Sequence, residues 1–379
     1  MPFWRRSRGR FPGLRFRRSR SKSPVFRVGW RAPSAGAPPL HDSYFQLGRR
    51  NQASALAAAS DFSGRAPHLL EKDIWVVWSL ATLFQSDLGA HLVFKGGTAL
   101  SKAHKVITRF SEDVDLTYDI RALAPELVRG AAGGIDAIPP SRSQEKKWSD
   151  EIRRELLPAW IRDQAHPIIQ AGLERLENVS SRITEDCIFI DYEPVAPASG
   201  YALPTVKLEF GARSSGEPST IIPVRCDMEG LVSGVEFPNA DPRVMNLTRI
   251  FWEKATAAHV YCVQGEKGLS NRFSRHFHDL VRLEENGHLA EALAAQDVAE
   301  AVAIHKNAFF AAKDANGNRI DYLEALHAGL TLVPSGSGYD ALRTDYLHMV
   351  EDGLLAGNAE TFEDLMRRCS GIQAQLKHR

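Results

Sequence analysis

The stretch His91–Ile120, HLVFKGGTALSKAHKVITRFSEDVDLTYDI, decides how the rest of the chain is read. A short apolar strand, His91 to Phe94, runs into Lys95-Gly96-Gly97-Thr98, and a helix is expected from Gly96 to Lys105. Glycines at such a turn let the backbone approach a ligand closely, and free N–H groups at a helix start attract anions. Thr98 is placed to cap that helix and to donate to a phosphate oxygen. Taken alone, a Gly-Gly-Thr turn also arises for steric reasons. The second half of the stretch narrows the reading. Asp113 and Asp115 open an apolar strand that runs on to Tyr118. Strand periodicity puts both carboxylates on one face. Like charges in that register repel unless something positive lies between them. A hard divalent cation with oxygen ligands meets that need, Mg²⁺ or Mn²⁺ in its place, with substrate phosphates completing its shell. Phosphate donors and metal ligands at neighbouring strand ends are what phosphoryl or nucleotidyl transfer requires.

A third carboxylate is expected on another strand. Glu209 in PTVKLEFGAR is the candidate, with Lys207 on the same face. It would be a metal ligand or the base that activates an attacking hydroxyl, or else an edge-strand Glu facing water. Lys254 lies among apolar neighbours on a helix, RIFWEKATAAHVY, where a lysine either snorkels to water or pairs with an anion. Asp279 follows Arg272, Arg275, His276 and His278 and is read as a site acid or as a helix ion pair. His276 and His278 are two residues apart, a poor zinc pair on a helix, and are read as structural or RNA-facing.

Outward from these residues the pattern is mixed and then helical. Leu69–Leu88 reads as a strong helix stopped at Gly89, and a long charged helix is expected to reach Glu177. Strands are expected over 186–192, 204–211 and 219–225, and from Asn239 the pattern turns helical to the end. The expected fold class is α+β. A mixed α/β core with a small mixed sheet occupies 51–235, an all-helical domain occupies 236–379, and the cleft between them is a natural ligand site. The chain of 379 residues holds no apolar run long enough for a membrane-spanning helix. Its four cysteines form no CxxC pair, which fits a reducing, cytoplasmic compartment better than a disulfide scaffold. The net charge of +1 conceals an asymmetry. Residues 1–40 hold 11 Lys and Arg and no acid, leaving 36 basic against 46 acidic side chains in the remainder. Residues 1–50 are therefore expected to be a basic, disordered extension. Its Arg- and Ser-rich composition suits a transit peptide, a phosphate-binding arm or an extension with no role.

Lys95-Gly96-Gly97-Thr98-Ala99-Leu100-Ser101-Lys102, followed by Arg109-Phe110-Ser111-Glu112-Asp113-Val114-Asp115-Leu116, resembles the signature of the AbiEii/AbiGii toxin family. These are nucleotidyltransferases of the DNA polymerase β superfamily, the group that includes the MenT toxins. Leu70-Glu71-Lys72-Asp73-Ile74-Trp75, Phe251-Trp252-Glu253-Lys254 and Arg275-His276-Phe277-His278-Asp279-Leu280 are similar to further family segments, so the resemblance spans roughly 68–370. It implies that Lys95, Gly96, Gly97 and Thr98 bind the nucleoside triphosphate. It also implies that Asp113 and Asp115 bind metal, that Glu209 is the third acid and that Lys254 neutralises phosphate charge. Asp279 would be the acid of the last motif, although His276 stands where the family often has an Asp. The implied activity is Mg²⁺-dependent transfer of a nucleoside monophosphate from an NTP to an acceptor, with tRNA 3′ ends as the candidate. The implied setting is a bacterial toxin–antitoxin or abortive-infection system with a separately encoded antitoxin. Two other readings stay open: transfer to a small molecule or protein, and a catalytically silent nucleotide-binding member of the fold.

Overall fold

A computed structural model describes residues 42–109, 111, 113–131, 134–197, 203–265, 272–355 and 359–377. The leader up to residue 41, and Phe110 and Glu112 of the motif, lie outside the described residues. Regular structure is in place from Asp42–Ser43, which pairs in parallel with Val235–Glu236.

The centre is a seven-stranded mixed sheet. Its strands are β1 (Leu92–Lys95), β2 (Asp113–Tyr118), β3 (Val179–Ile183), β4 (Cys187–Tyr192), β5 (Thr205–Gly211), β6 (Ser219–Ile221) and β7 (Arg243–Met245). The spatial order is β3-β4-β5-β2-β1-β7-β6. Strand β2 runs antiparallel to β1 and parallel to β5. Alternation divides the sheet. Phe94, Val114, Leu116, Val206, Leu208 and Phe210 face a first core, shared with helix α1 (Pro67–Phe84) and the helical run that starts at Arg142–Glu151. The opposite face carries the polar residues of β1, β2 and β5. Val93 and Met245 belong to a second core, formed with the C-terminal helices. These are mainly α2 (Leu247–Gln264), α3 (Arg275–Glu285) and α4 (Gln296–Phe309), followed by Tyr322–Ala328, Ser337–Glu351 and Phe362–Lys377.

Four local expectations change. Helix α1 ends at Phe84, where the Ser86 hydroxyl donates to the Leu83 carbonyl at 2.7 Å, and Gly89 sits in a separate short turn. The long charged helix is interrupted by π-helical turns at Ile152–Leu156 and Ile161–Ala165 and closes with His166–Leu173. Each π turn precedes a proline, Pro158 or Pro167, whose missing N–H and ring would clash with a regular α-helical turn. Strand β3 forms at a sheet edge with mostly exposed residues, so it lacks the apolar alternation that marks a buried strand. Strand β7 joins the sheet beside β1 before the chain turns helical at Leu247.

Candidate active site

Register assembles the acids. Lys95 lies opposite Asp115, Asp115 opposite Glu209, and Asp113 opposite Lys207. Lys95, Asp115 and Glu209 thus form a row across three strands, with Asp113 two residues away on the same face. The Lys207 ammonium donates to Glu209 Oε2 at 2.6 Å. Burial pushes the Asp115 carboxyl up to about 6. Lys95 and Lys254 work against that rise, while Glu209 and Asp113 add to it.

The glycines are explained by close approach. Gly96 has φ +76°, and a Cβ there would overlap the Asp115 carboxylate. A Cβ on Gly97 would press into the Arg109 guanidinium and the Ser111 hydroxyl. The Gly96–Lys102 helix therefore packs against the strand that bears the acids. Thr98 does not cap this helix, because the N-cap is Lys95 and Thr98 lies inside the first turn, 1% exposed. Its hydroxyl donates to the Asp113 carbonyl and contacts Ser111 Oγ at 2.9 Å. Thr98 thus fixes the start of β2, and its hydroxyl is committed within the protein rather than to a phosphate.

Helices α2 and α3 bring the basic side. Asp279 is fully buried. It accepts from Arg109 Nε at 2.7 Å and from Arg109 Nη2 at 2.8 Å. Lys254 Nζ lies 2.8 Å from its other face, at Oδ2, and His278 Nδ1 lies 3.3 Å from Oδ1. Burial opposes ionisation of Asp279, but Arg109 and Lys254 outweigh it and hold the carboxyl well below its usual range. Both readings offered for Lys254 and Asp279 resolve into ion pairing. At 0% exposure Asp279 is enclosed by Arg109 and Lys254. His276 is held neutral by burial and by Lys254, and its Nδ1 is buried without a partner among the described residues.

Acids and bases meet around a cavity of about 340 Å³. Lys95, Gly96, Gly97, Asp113, Asp115, Glu209, Lys254 and Arg109 all line it, so the turn and the acids open to one space. Sequence reasoning missed Glu253, Arg275 and Lys306, which also line it. Burial works against ionisation of Glu253, yet Lys95, Arg249, Lys306 and His305 together hold its carboxyl down to about 2. Arg249 is itself fully buried, bonded to Asp136 Oδ2 at 2.8 Å and Glu253 Oε1 at 3.1 Å. A second cavity of about 610 Å³ adjoins the first and shares Lys95, Asp115, Glu209, Glu253 and Lys306 with it.

The donor set suits a hard cation. All three acids are oxygen donors on one face, the chemistry a hard cation prefers. Among the described residues no group of three such side chains converges on one point. A site of one or two carboxylates completed by substrate phosphates is the arrangement Mg²⁺ commonly uses.

No curated protein matches the chain. Among solved structures, JHP933 from Helicobacter pylori is similar at 15% identity over 82% of this chain and 92% of that one, with a TM-score of 0.39. MenT4, a nucleotidyltransferase toxin from Mycobacterium tuberculosis H37Rv, is similar at 16% identity over 87% and 99%, with a TM-score of 0.29. Among the described residues no helix is long and apolar enough to cross a membrane. Residues 78–368 match the family described as nucleotidyl transferase AbiEii toxin of type IV toxin–antitoxin systems. The chain belongs to that family, and it is accordingly a nucleotidyl-transferring enzyme that uses a nucleoside triphosphate and has an antitoxin as its partner.

Proposed function

We propose that the protein moves a nucleoside monophosphate from an NTP to an RNA acceptor, the 3′ end of tRNA, and releases pyrophosphate. The observation that carries this reading is the row Lys95–Asp115–Glu209, with Asp113 beside it, lining the same cavity as Gly96, Gly97 and Lys254. Asp113, Asp115 and Glu209 would hold Mg²⁺, or Mn²⁺ in its place. A divalent cation bound there supplies Lewis-acid polarisation of the α-phosphate and lowers the pKa of the acceptor hydroxyl. The chain's own residues orient the substrate. The Gly96-Gly97 backbone approaches the triphosphate, and Lys95 and Lys254 offset its charge. Asp279 is a positioning residue that holds Lys254 and Arg109 in place. In the larger cavity Arg153, Arg154 and Arg213 suit a phosphate backbone better than a small neutral acceptor, although Asp150, Glu185 and Asp186 line it too. The proposed compartment is the cytoplasm, which supplies both NTP and tRNA.

The test is incubation of the full chain with each α-labelled NTP, Mg²⁺ and, in turn, total tRNA, a cell extract depleted of RNA, or no acceptor. RNase-sensitive label on tRNA is expected with the wild type and not with Asp113→Ala. An RNase-resistant labelled product would overturn the RNA acceptor. Equal transfer by wild type and Asp113→Ala would overturn the metal role.

A further inference from the structure

The cations around the site fall into two groups. Arg109 and Lys254 are held by Asp279, and Arg249 by Asp136 and Glu253. Lys306 differs. Helix α4 buries Ala299, Val302 and Ala303 at i, i+3 and i+4, and position 306 continues that stripe at i+7. At the end of that stripe Lys306 is only partly buried and lines both cavities. Among the described residues the Lys306 ammonium makes no hydrogen bond and has no carboxylate within ion-pair distance. It lies over the Phe310 ring, 4.4 Å from the centroid. Burial pushes its pKa down to about 8; Glu253 counters this, while Lys95, Arg249 and Arg213 add to it. Glu253 is the nearest compensating charge and already answers to Lys95 and Arg249, so the ammonium keeps capacity for an arriving anion. The ammonium belongs to the five-residue junction that lines both cavities, across from the acids of the sheet.

We propose that Lys306 is a phosphate-binding residue of this enzyme, its ammonium meeting the non-bridging oxygens of the NTP β- and γ-phosphates where the two cavities join. The assignment rests on the proposed function. In the transfer the acceptor oxygen bonds to the α-phosphorus and the bond from that phosphorus to the α,β-bridging oxygen breaks. Pyrophosphate leaves with the electron pair, and the acceptor's proton passes to solvent. Negative charge grows on the departing group, which is where an ammonium outside any close ion pair is most useful.

The full-length chain is tested as wild type, Lys306→Met and Lys306→Arg. Isothermal titration with Mg²⁺ and each of the four NTPs is set beside titration with the matching NMP. Lys306→Met keeps the apolar stem, so its melting temperature is expected to match or exceed that of the wild type. Its NTP affinity is expected to fall roughly tenfold to hundredfold, with NMP affinity changed by less than about twofold and part of the loss restored in Lys306→Arg. Unchanged NTP affinity in Lys306→Met would overturn the assignment, as would equal weakening for NTP and NMP. A wild type that binds none of the four NTPs would overturn the proposed function itself, and that result needs no variant.

Discussion

The two walls of the active-site cavity are built by different physics. On the sheet wall Asp113, Asp115 and Glu209 are only partly buried, and the strand pleat alone brings them to one face. On the helical wall Arg109, Lys254 and Asp279 are almost wholly buried and hold one another across 170 positions of sequence. The sheet wall gathers three carboxylates that Lys95 and Lys207 offset only in part. The helical wall pairs opposite charges and is part of the core that joins the two halves of the molecule. Function should therefore be separable from stability on the first wall and inseparable from it on the second.

Four measurements can break or sharpen that contrast. The largest effect is expected at Asp115→Ala, which should lower labelled-nucleotide transfer by ~10³-fold or more while leaving the melting temperature unchanged or raised. A variant that fails to fold would erase the distinction between the walls. Next is Asp279→Asn, which strands two buried cations and should cost about 3–5 kcal/mol in urea unfolding, with activity lost as a consequence. Full stability in that variant would show that the ion cluster is not structural. A smaller cost, about 1–3 kcal/mol, is expected for Gly96→Ala, because φ there is left-handed and the new methyl displaces the Asp115 carboxylate. Its transfer rate should drop along with its stability. The smallest effect is in the acid limb of stability. Glu253 is held down to about 2 from an ordinary 4.5, so its contribution is complete above pH ~4.5 and lost as pH falls toward 2. Glu253→Gln should flatten that limb in thermal melts between pH 5 and pH 2, and an unaltered slope would mean the contribution lies elsewhere.

This contrast also explains what could be read before the structure. Asp113, Asp115 and Glu209 were legible because period-two spacing is a local property, visible in DVDLTY and TVKLEFG. The mixed sheet followed by helices was legible for the same reason. Strand β3 was not, since VSSRI at an exposed edge carries no apolar alternation. Strand β7 is three residues long and pairs across more than a hundred positions, so only the fold reveals it. Thr98 was read as a cap because Gly-Gly-Thr looks like a helix entrance, yet Lys95 is the N-cap and the Thr98 hydroxyl turns to Asp113. The partnership of Asp279 with Arg109 had no sequence signal, because ion pairs across distant segments follow no spacing rule. Lys306 did leave a signal, a lysine on an apolar helical stripe, which periodicity alone could have flagged.

The placement of β7 also bears on how the protein is made. Val244 pairs with Phe94, one position before the Lys95–Asp115–Glu209 row. A nascent chain that has not yet emerged past Met245 cannot complete its sheet, and the helix bearing Lys254 begins only two residues later. The acids and Lys254 thus depend on one stretch of chain, Arg243 to Lys254. A polypeptide cut short before that stretch carries Asp113, Asp115 and Glu209 without the strand that flanks their row or the helix that faces it.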